Sequence, residues 1–414
     1  MTMKKIFTLI SLLLVTLQLS AGPIGEIRAR QIAEEFFTEY ATTRSAASIE
    51  LEWAGDAITE LTTRSANLDN ALIYIYTRGV KEGFVVVAGD DNIDPIIAYS
   101  FNTTLDSENL SEATKDIINA WSEQVSAARS GQLSYDASTR TTTRYNDELL
   151  YETALWNQGE PYNREAPMID GKRAVTGCAA TAMSIICYYN KWPVKGVGTT
   201  PAYSYTDNYG EKHTIPANTL GRTYNYDKML IDYNNNYNNE QANAVAALMK
   251  DMGTSTQMMY HYNESGTTDL NVAKALVDHF SYSKQSYLAY RDGYHRDEWH
   301  SLMRNNLKQY GPTFYSGQSG HGGHAFVVDG YAKNDYFHFN FGWGGYGNGY
   351  WRMPEIDYYL SQGAILCLEP DKSGTSTYRD NIMLTSLTLT NGDIMRGVTS
   401  FATQYNTCLL YTSD

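Results

Sequence analysis

Apolar residues recur at Ala29, Ile32, Ala33, Phe36, Phe37 and Tyr40 in steps of three and one, which predicts a helix with one buried stripe. Residues 71–77 and 84–88 are β-branched and aromatic runs separated by a glycine-containing turn, and Asp90-Asp91-Asn92 closes the second, so they read as a hairpin. A further helix carries Ile117, Ile118, Trp121 and Val125. Residues 138–144 contain no apolar side chain and read as an exposed linker. Residues 22–144 are therefore expected to form a small α+β unit with a cleavable tail.

The texture changes after this point. Trp, Tyr and Gly are dense from Leu155 to Glu369, and the glycine-rich stretches 311–330 and 342–349 suggest backbone approaching a ligand closely. Residues 325–328 and 336–341 read as two strands joined through Lys333-Asn334-Asp335, a second hairpin. From 371 onward Thr and Leu alternate, as in the opening strands of a β-sandwich, yet the remaining chain is far shorter than the ~100 residues such a fold needs. The expected divisions are 1–21, 22–144, 145–370 and a truncated or partial β module at 371–414. Cys408, in the closing residues, is given no function.

Residues 1–21 look like an address. Lys4 and Lys5 precede an apolar run to Leu19, and small residues stand before Gly22. The run falls short of the ~20 residues of a membrane span, so a secretory signal cleaved near Ala21 is expected, with export and no membrane span. Against 46 acidic residues stand 32 basic ones, a net charge of −14, which disfavours nucleic acid as a partner. The four cysteines form no CxxC pair, so neither a disulfide scaffold nor a zinc site is indicated.

Each cysteine is then read singly. After Gly177 no helix breaker occurs until Pro193, which places Cys178 at a helix N-terminus. Unpaired N–H groups and the helix dipole there favour an anion and lower a thiol pKa. The alternative is a small buried hydrophobe. Cys187, nine residues on, lies half a turn away and about 13.5 Å along the axis, so the two cannot be bridged and Cys187 reads as core.

A thiolate nucleophile needs a base, and His324 follows Gly322-Gly323 at a strand start. On the hairpin Asn340 falls within about three positions of facing it, where its side chain could accept from the imidazole and fix the tautomer. A buried polar strand residue is the other reading of Asn340. His321, His324 and His338 could also suggest a metal site, although no carboxylate or thiolate stands beside them at ligand spacing.

The segments 157–163, 176–182, 322–330 and 340–345 together resemble the streptopain family of secreted bacterial cysteine peptidases, and 83–90 is similar to that family's inhibitory propeptide. The resemblance implies a papain-like α+β fold with a helical half, a β half and a cleft between them. It also implies Cys178 as nucleophile, His324 as its ion-pair partner, and the Gln158 side chain with the Cys178 N–H as oxyanion hole. Gly323 would leave room for a substrate backbone, and Ser265, Gly266 and Thr267 match a binding-cleft loop. Phe341 stands where streptopain has Trp after the Asn, so Asn340, Phe341 and Trp343 all remain candidates for supporting His324. No cofactor or metal is implied.

The leading reading is a self-processing endopeptidase acting on protein or peptide substrates. Its propeptide is expected to lie across the cleft and keep Cys178 and His324 apart until cleavage between about 135 and 146. A papain-like amidase or acyl transferase, and a non-catalytic binding protein on a peptidase scaffold, are the alternatives.

Overall fold

The computed structural model describes residues 22–41, 47–58, 68–108, 110–133, 147–319, 322–333, 335–354 and 361–378. The signal, the 138–144 linker, His321 and Cys408 lie outside the described residues.

Helix α1 (Glu26–Tyr40) buries Ala29, Ile32, Ala33, Phe36 and Phe37, the stripe its periodicity predicts. Strands β1 (Ile49–Gly55), β2 (Ile73–Arg78), β3 (Phe84–Ala88) and β4 (Ile96–Ser100) follow, and then helix α2 (Glu112–Arg129), whose first turn is capped by Ser111. The expected hairpin is β2 against β3, with Ile73 opposite Ala88 and Thr77 opposite Phe84. These strands are apolar on both faces because both are covered. Tyr74, Tyr76, Val85 and Val87 face the core of α1, while Ile73, Ile75, Phe84 and Val86 face that of α2.

The second part of the chain contributes β5 (Asp147–Leu150), α3 (Cys178–Asn190), α4 (Asn239–Ser255), α5 (Asp269–Asp278), β6 (Tyr287–Tyr290) and α6 (Arg296–Tyr310). Strands β7 (Thr313–Ser319), β8 (Gly322–Ala332), β9 (Tyr336–Asn340), β10 (Gly349–Arg352) and β11 (Gly363–Leu366) complete it. Helix α3 is buried all round over residues 179–187 and sits at the centre of the helical half with α4 and α5. The β half is one sheet in the order β1-β2-β3-β4-β10-β9-β8-β7-β11-β6, with β5 on β8. The fold is thus α+β and papain-like, as expected. Residues 371–378 form a turn tied by the Asp371 carboxylate, and the rest of the expected β module lies outside the described residues.

The N-terminal strands do not form a separate sheet. β4 pairs with β10, Tyr99 opposite Tyr350 and Ala98 opposite Trp351, so each supplies the partner that the other's edge needs. Gly349 permits the approach, since a Cβ there would lie 2.6 Å from the Tyr99 carbonyl oxygen. Tyr99 stacks on Tyr350 with ring centroids 5.1 Å apart, and Trp121 Nε1 donates to the Arg352 carbonyl at 3.1 Å. Helix α2 shares a core with Phe326, Phe339, Phe341 and Trp351. For the described residues this differs from the expectation that the N-terminal unit lies across the cleft. Its described residues extend the sheet and cover its back, and none of them lines the cleft.

Candidate active site

Gly177 precedes α3 at φ 87°, a conformation that favours glycine. A Cβ there would lie 2.7 Å from Met258 Sδ and 2.9 Å from the Ser265 carbonyl oxygen, so neighbours as well as backbone demand glycine. Thr176 N–H donates to the Gln158 carbonyl at 3.1 Å, fixing the segment that leads into the helix. The result is Cys178 at the first position of α3, half-buried in the cleft floor. Burial opposes its ionisation. The His324 charge and hydrogen bond, with backbone N–H groups of Ala325 and Ala179, outweigh that and hold the thiol below its ordinary range.

His324 stands near the start of β8, paired with Gly317 across β7, and is buried. Its Nε2 donates to the Phe341 carbonyl oxygen at 2.9 Å. The imidazole has one other nitrogen, so Nδ1 is the atom left for the hydrogen bond with Cys178. Burial disfavours the imidazolium. The Cys178 charge and hydrogen bond, the Phe341 carbonyl and the Asp116 carboxylate of α2 together push the pKa above its ordinary value. Cys178 and His324 therefore face each other alongside the described residues of the N-terminal unit, which do not hold them apart as expected.

Asn340 does pair with Val327, three positions from His324, but its side chain turns elsewhere. Its amide donates to Thr153 Oγ1 and to the Ala154 carbonyl, both at 2.9 Å, and its oxygen accepts from Gly342 N–H at 3.2 Å. The imidazole is met instead by the next residue's backbone, whose N–H is held by Asn348 Oδ1 at 3.0 Å. Trp343 is half-buried against the core that contains Phe341. His338 meets Asp329 at 2.5 Å, and no group of three metal-ligating side chains forms among the described residues. Cys187 is buried and accepts from Tyr282 Oη at 3.6 Å, and burial pushes its thiol up to about 12.

The cleft has a volume of about 710 Å³ and brings together Cys178, Ser265, Gly266, Thr267, Gly323 and His324. Ser265 is committed to structure: its hydroxyl donates to the Val175 carbonyl at 2.9 Å and accepts from His261 N–H. Thr267 Oγ1 donates to the Thr256 carbonyl at 2.5 Å. Gln158 is largely buried, its own N–H bonded to Asn157 Oδ1. Sequence reasoning missed the antiparallel pair 203–206 and 212–215, whose tip lines the cleft through Tyr205 and Tyr209, and it missed Asp269 and Ser316. The Thr268 cap could have located the start of α5, whereas contact between Asp269 and Ser316 has no local signal.

No helix among the described residues is long and apolar enough to cross a membrane. Residues 156–351 match the Peptidase C10 family, and residues 21–125 match the Spi protease inhibitor family. The chain is 32% identical over 361 residues to the thiol protease/hemagglutinin PrtT of Porphyromonas gingivalis, covering 84% of this chain and 41% of that one. It is 29% identical to streptopain of Streptococcus pyogenes, covering 70% of this chain and 76% of that one. A prointerpain A fragment from Prevotella intermedia shares the fold at a TM-score of 0.62 and 24% identity, over 80% of this chain and all of that one. The chain thus spans less than half of PrtT and about three quarters of streptopain. Since the match runs through both α3 and β8, which hold Cys178 and His324 at one cleft, and an inhibitor-like segment precedes it, the chain belongs to the Peptidase C10 family, the family of streptopain-like cysteine peptidases.

Proposed function

We propose that the protein is an exported cysteine endopeptidase made as a self-processing zymogen. The observation that carries this reading is the hydrogen-bonded pair of Cys178 and His324 at the floor of an open cleft, with the thiol pKa lowered and the imidazole pKa raised.

In this mechanism the Cys178 thiolate attacks the carbonyl carbon of a peptide bond, and the oxygen's developing charge is taken up by the Cys178 N–H and the Gln158 side-chain amide. The His324 imidazolium gives its Nδ1 proton to the leaving amine. Neutral imidazole then takes a proton from water, which attacks the thioester and releases the second product. Phe341 holds the ring throughout from the Nε2 side, and Asn340 positions Phe341 by bonding Gly342 N–H. Gly323, Gly266 and Thr267 face the substrate backbone, while Trp343 buttresses the turn behind Phe341. No step requires a metal or cofactor.

Residues 1–21 act as the signal, 22–144 as the propeptide, 145–370 as the catalytic domain and 371–414 as the start of a further β module. The propeptide is an intramolecular inhibitor, and its described residues meet the catalytic domain behind the sheet, where α2 shares a core with Phe326 and Phe341, which neighbour His324 and its carbonyl partner. Incubation with casein tests the reading: wild type yields peptides, E-64 stops it, and Cys178→Ala yields none. Hydrolysis by Cys178→Ala that matches wild type would remove the proposal.

A further inference from the structure

The cleft is lined by three carboxylates, Asp207, Glu264 and Asp269, and by no lysine or arginine among the described residues. They are not equivalent. Asp207 is consumed by its own turn, accepting from the N–H groups of Tyr209 and Glu211 and pairing with His213, each at 2.9 Å. Glu264 is exposed at the rim and accepts from Asn208 at 2.7 Å. Asp269, at the first turn of α5, is half-buried and accepts from Ser316 Oγ at 2.6 Å. Burial raises its pKa, and the Ser316 hydroxyl is what opposes that rise; no lysine or arginine among the described residues does.

Asp269, Ser316 and Tyr290 line the cleft together. Gly363 is buried against them, and a Cβ there would lie 3.3 Å from Asp269 Oδ2, 3.3 Å from the Tyr290 ring and 3.2 Å from Ser316 Oγ, so glycine lets the carboxylate, the hydroxyl and the aromatic ring crowd together on the cleft wall. A partly desolvated carboxylate without a counter-ion gains most from a hydrogen-bonding cation, and the Tyr290 ring would receive the face of a guanidinium.

We propose that the part of the cleft lined by Asp269, Ser316 and Tyr290 receives a cationic side chain of the peptide substrate, so that cleavage is favoured near arginine or lysine. This rests on the endopeptidase reading and adds a substrate class to it. The test uses full-length protein allowed to process itself, with competent sites counted by E-64 titration. Peptides carrying Arg, Lys, Leu, Gln or Glu at each position around the cleaved bond are compared by kcat/KM. One position should favour Arg or Lys over Leu by about tenfold or more, as a charge-assisted hydrogen bond gives. Asp269→Asn should lower that ratio at least tenfold, Asp269→Glu should retain its direction, and Asp269→Lys should turn it toward Glu. Cleavage with no cationic preference at any position, or a preference that survives Asp269→Asn, overturns this proposal alone. Failure to cleave any peptide overturns the peptidase reading and this proposal with it.

Discussion

The Nε2 of His324 donates to the backbone carbonyl oxygen of Phe341 at 2.9 Å, while the Asn340 side chain one residue earlier bonds Thr153, Ala154 and Gly342. A carbonyl fixes the tautomer as well as a side-chain oxygen would, because it can only accept. Its position depends on the backbone from 340 to 342, and Asn340 and Asn348 hold that backbone from two sides.

Asn340→Ala is therefore expected to reduce kcat by one to two orders of magnitude through a displaced Phe341 carbonyl, with KM little changed. The same variant should lower the upper pKa of the pH–rate profile. A loss of activity with an unaltered profile would assign Asn340 to stability alone.

The pKa shifts set a pH window. Cys178 is lowered, so the thiolate forms as pH rises through a value below the ordinary thiol range; His324 is raised, so the imidazolium is lost as pH rises through a value above the ordinary histidine range. Between them kcat/KM should be high and outside them low, and the two apparent values belong to the pair. Steady-state assays across mildly acidic to alkaline pH check this, and a rate that only climbs toward about pH 9 contradicts it.

Asp116 links α2 to the site. Its carboxylate favours the charged imidazole, so removing the charge should lower the His324 pKa. NMR titration of His324 in full-length Cys178→Ala, with and without Asp116→Asn, measures the difference. No downward shift would mean that the carboxylate is screened from the ring.

Gly177→Ala should cost about a hundredfold in kcat/KM, since the added Cβ forces Cys178 out of line in a conformation already strained for alanine. Thermal melting distinguishes misplacement from unfolding: the variant should still melt cooperatively.

Gly349→Ala tests the junction between β4 and β10. Its Cβ would meet backbone 2.6 Å away, an overpacking expected to cost about 1–3 kcal/mol. After a cut within 134–146, size-exclusion chromatography should show the N-terminal fragment leaving the variant sooner than the wild type. Equal retention would place the holding contacts elsewhere, on α2 for example.

What was legible in the sequence was local. Periodicity located α1 and the buried stripe of α2, Gly177 marked the start of α3, and turn residues set the β8–β9 hairpin closely enough to put Asn340 three places from His324. The capping box of Asn238 and Gln241 marks the start of α4 as plainly. The imidazole's partner stayed hidden because every residue carries a carbonyl, so no residue type marks it. The junction of Tyr99 with Tyr350 stayed hidden because strand edges find partners through the whole fold, and neither strand's pattern says which edge it meets.

The central claim is that Cys178 and His324 act as a thiolate–imidazolium pair, and alkylation of Cys178 by iodoacetamide as a function of pH tests it most directly, read by mass spectrometry on wild type and His324→Ala. In wild type the rate should already be high and flat in mildly acidic solution, and in His324→Ala it should rise only near the ordinary thiol pKa of about 8.5. Superimposable profiles in the two proteins would contradict the pair.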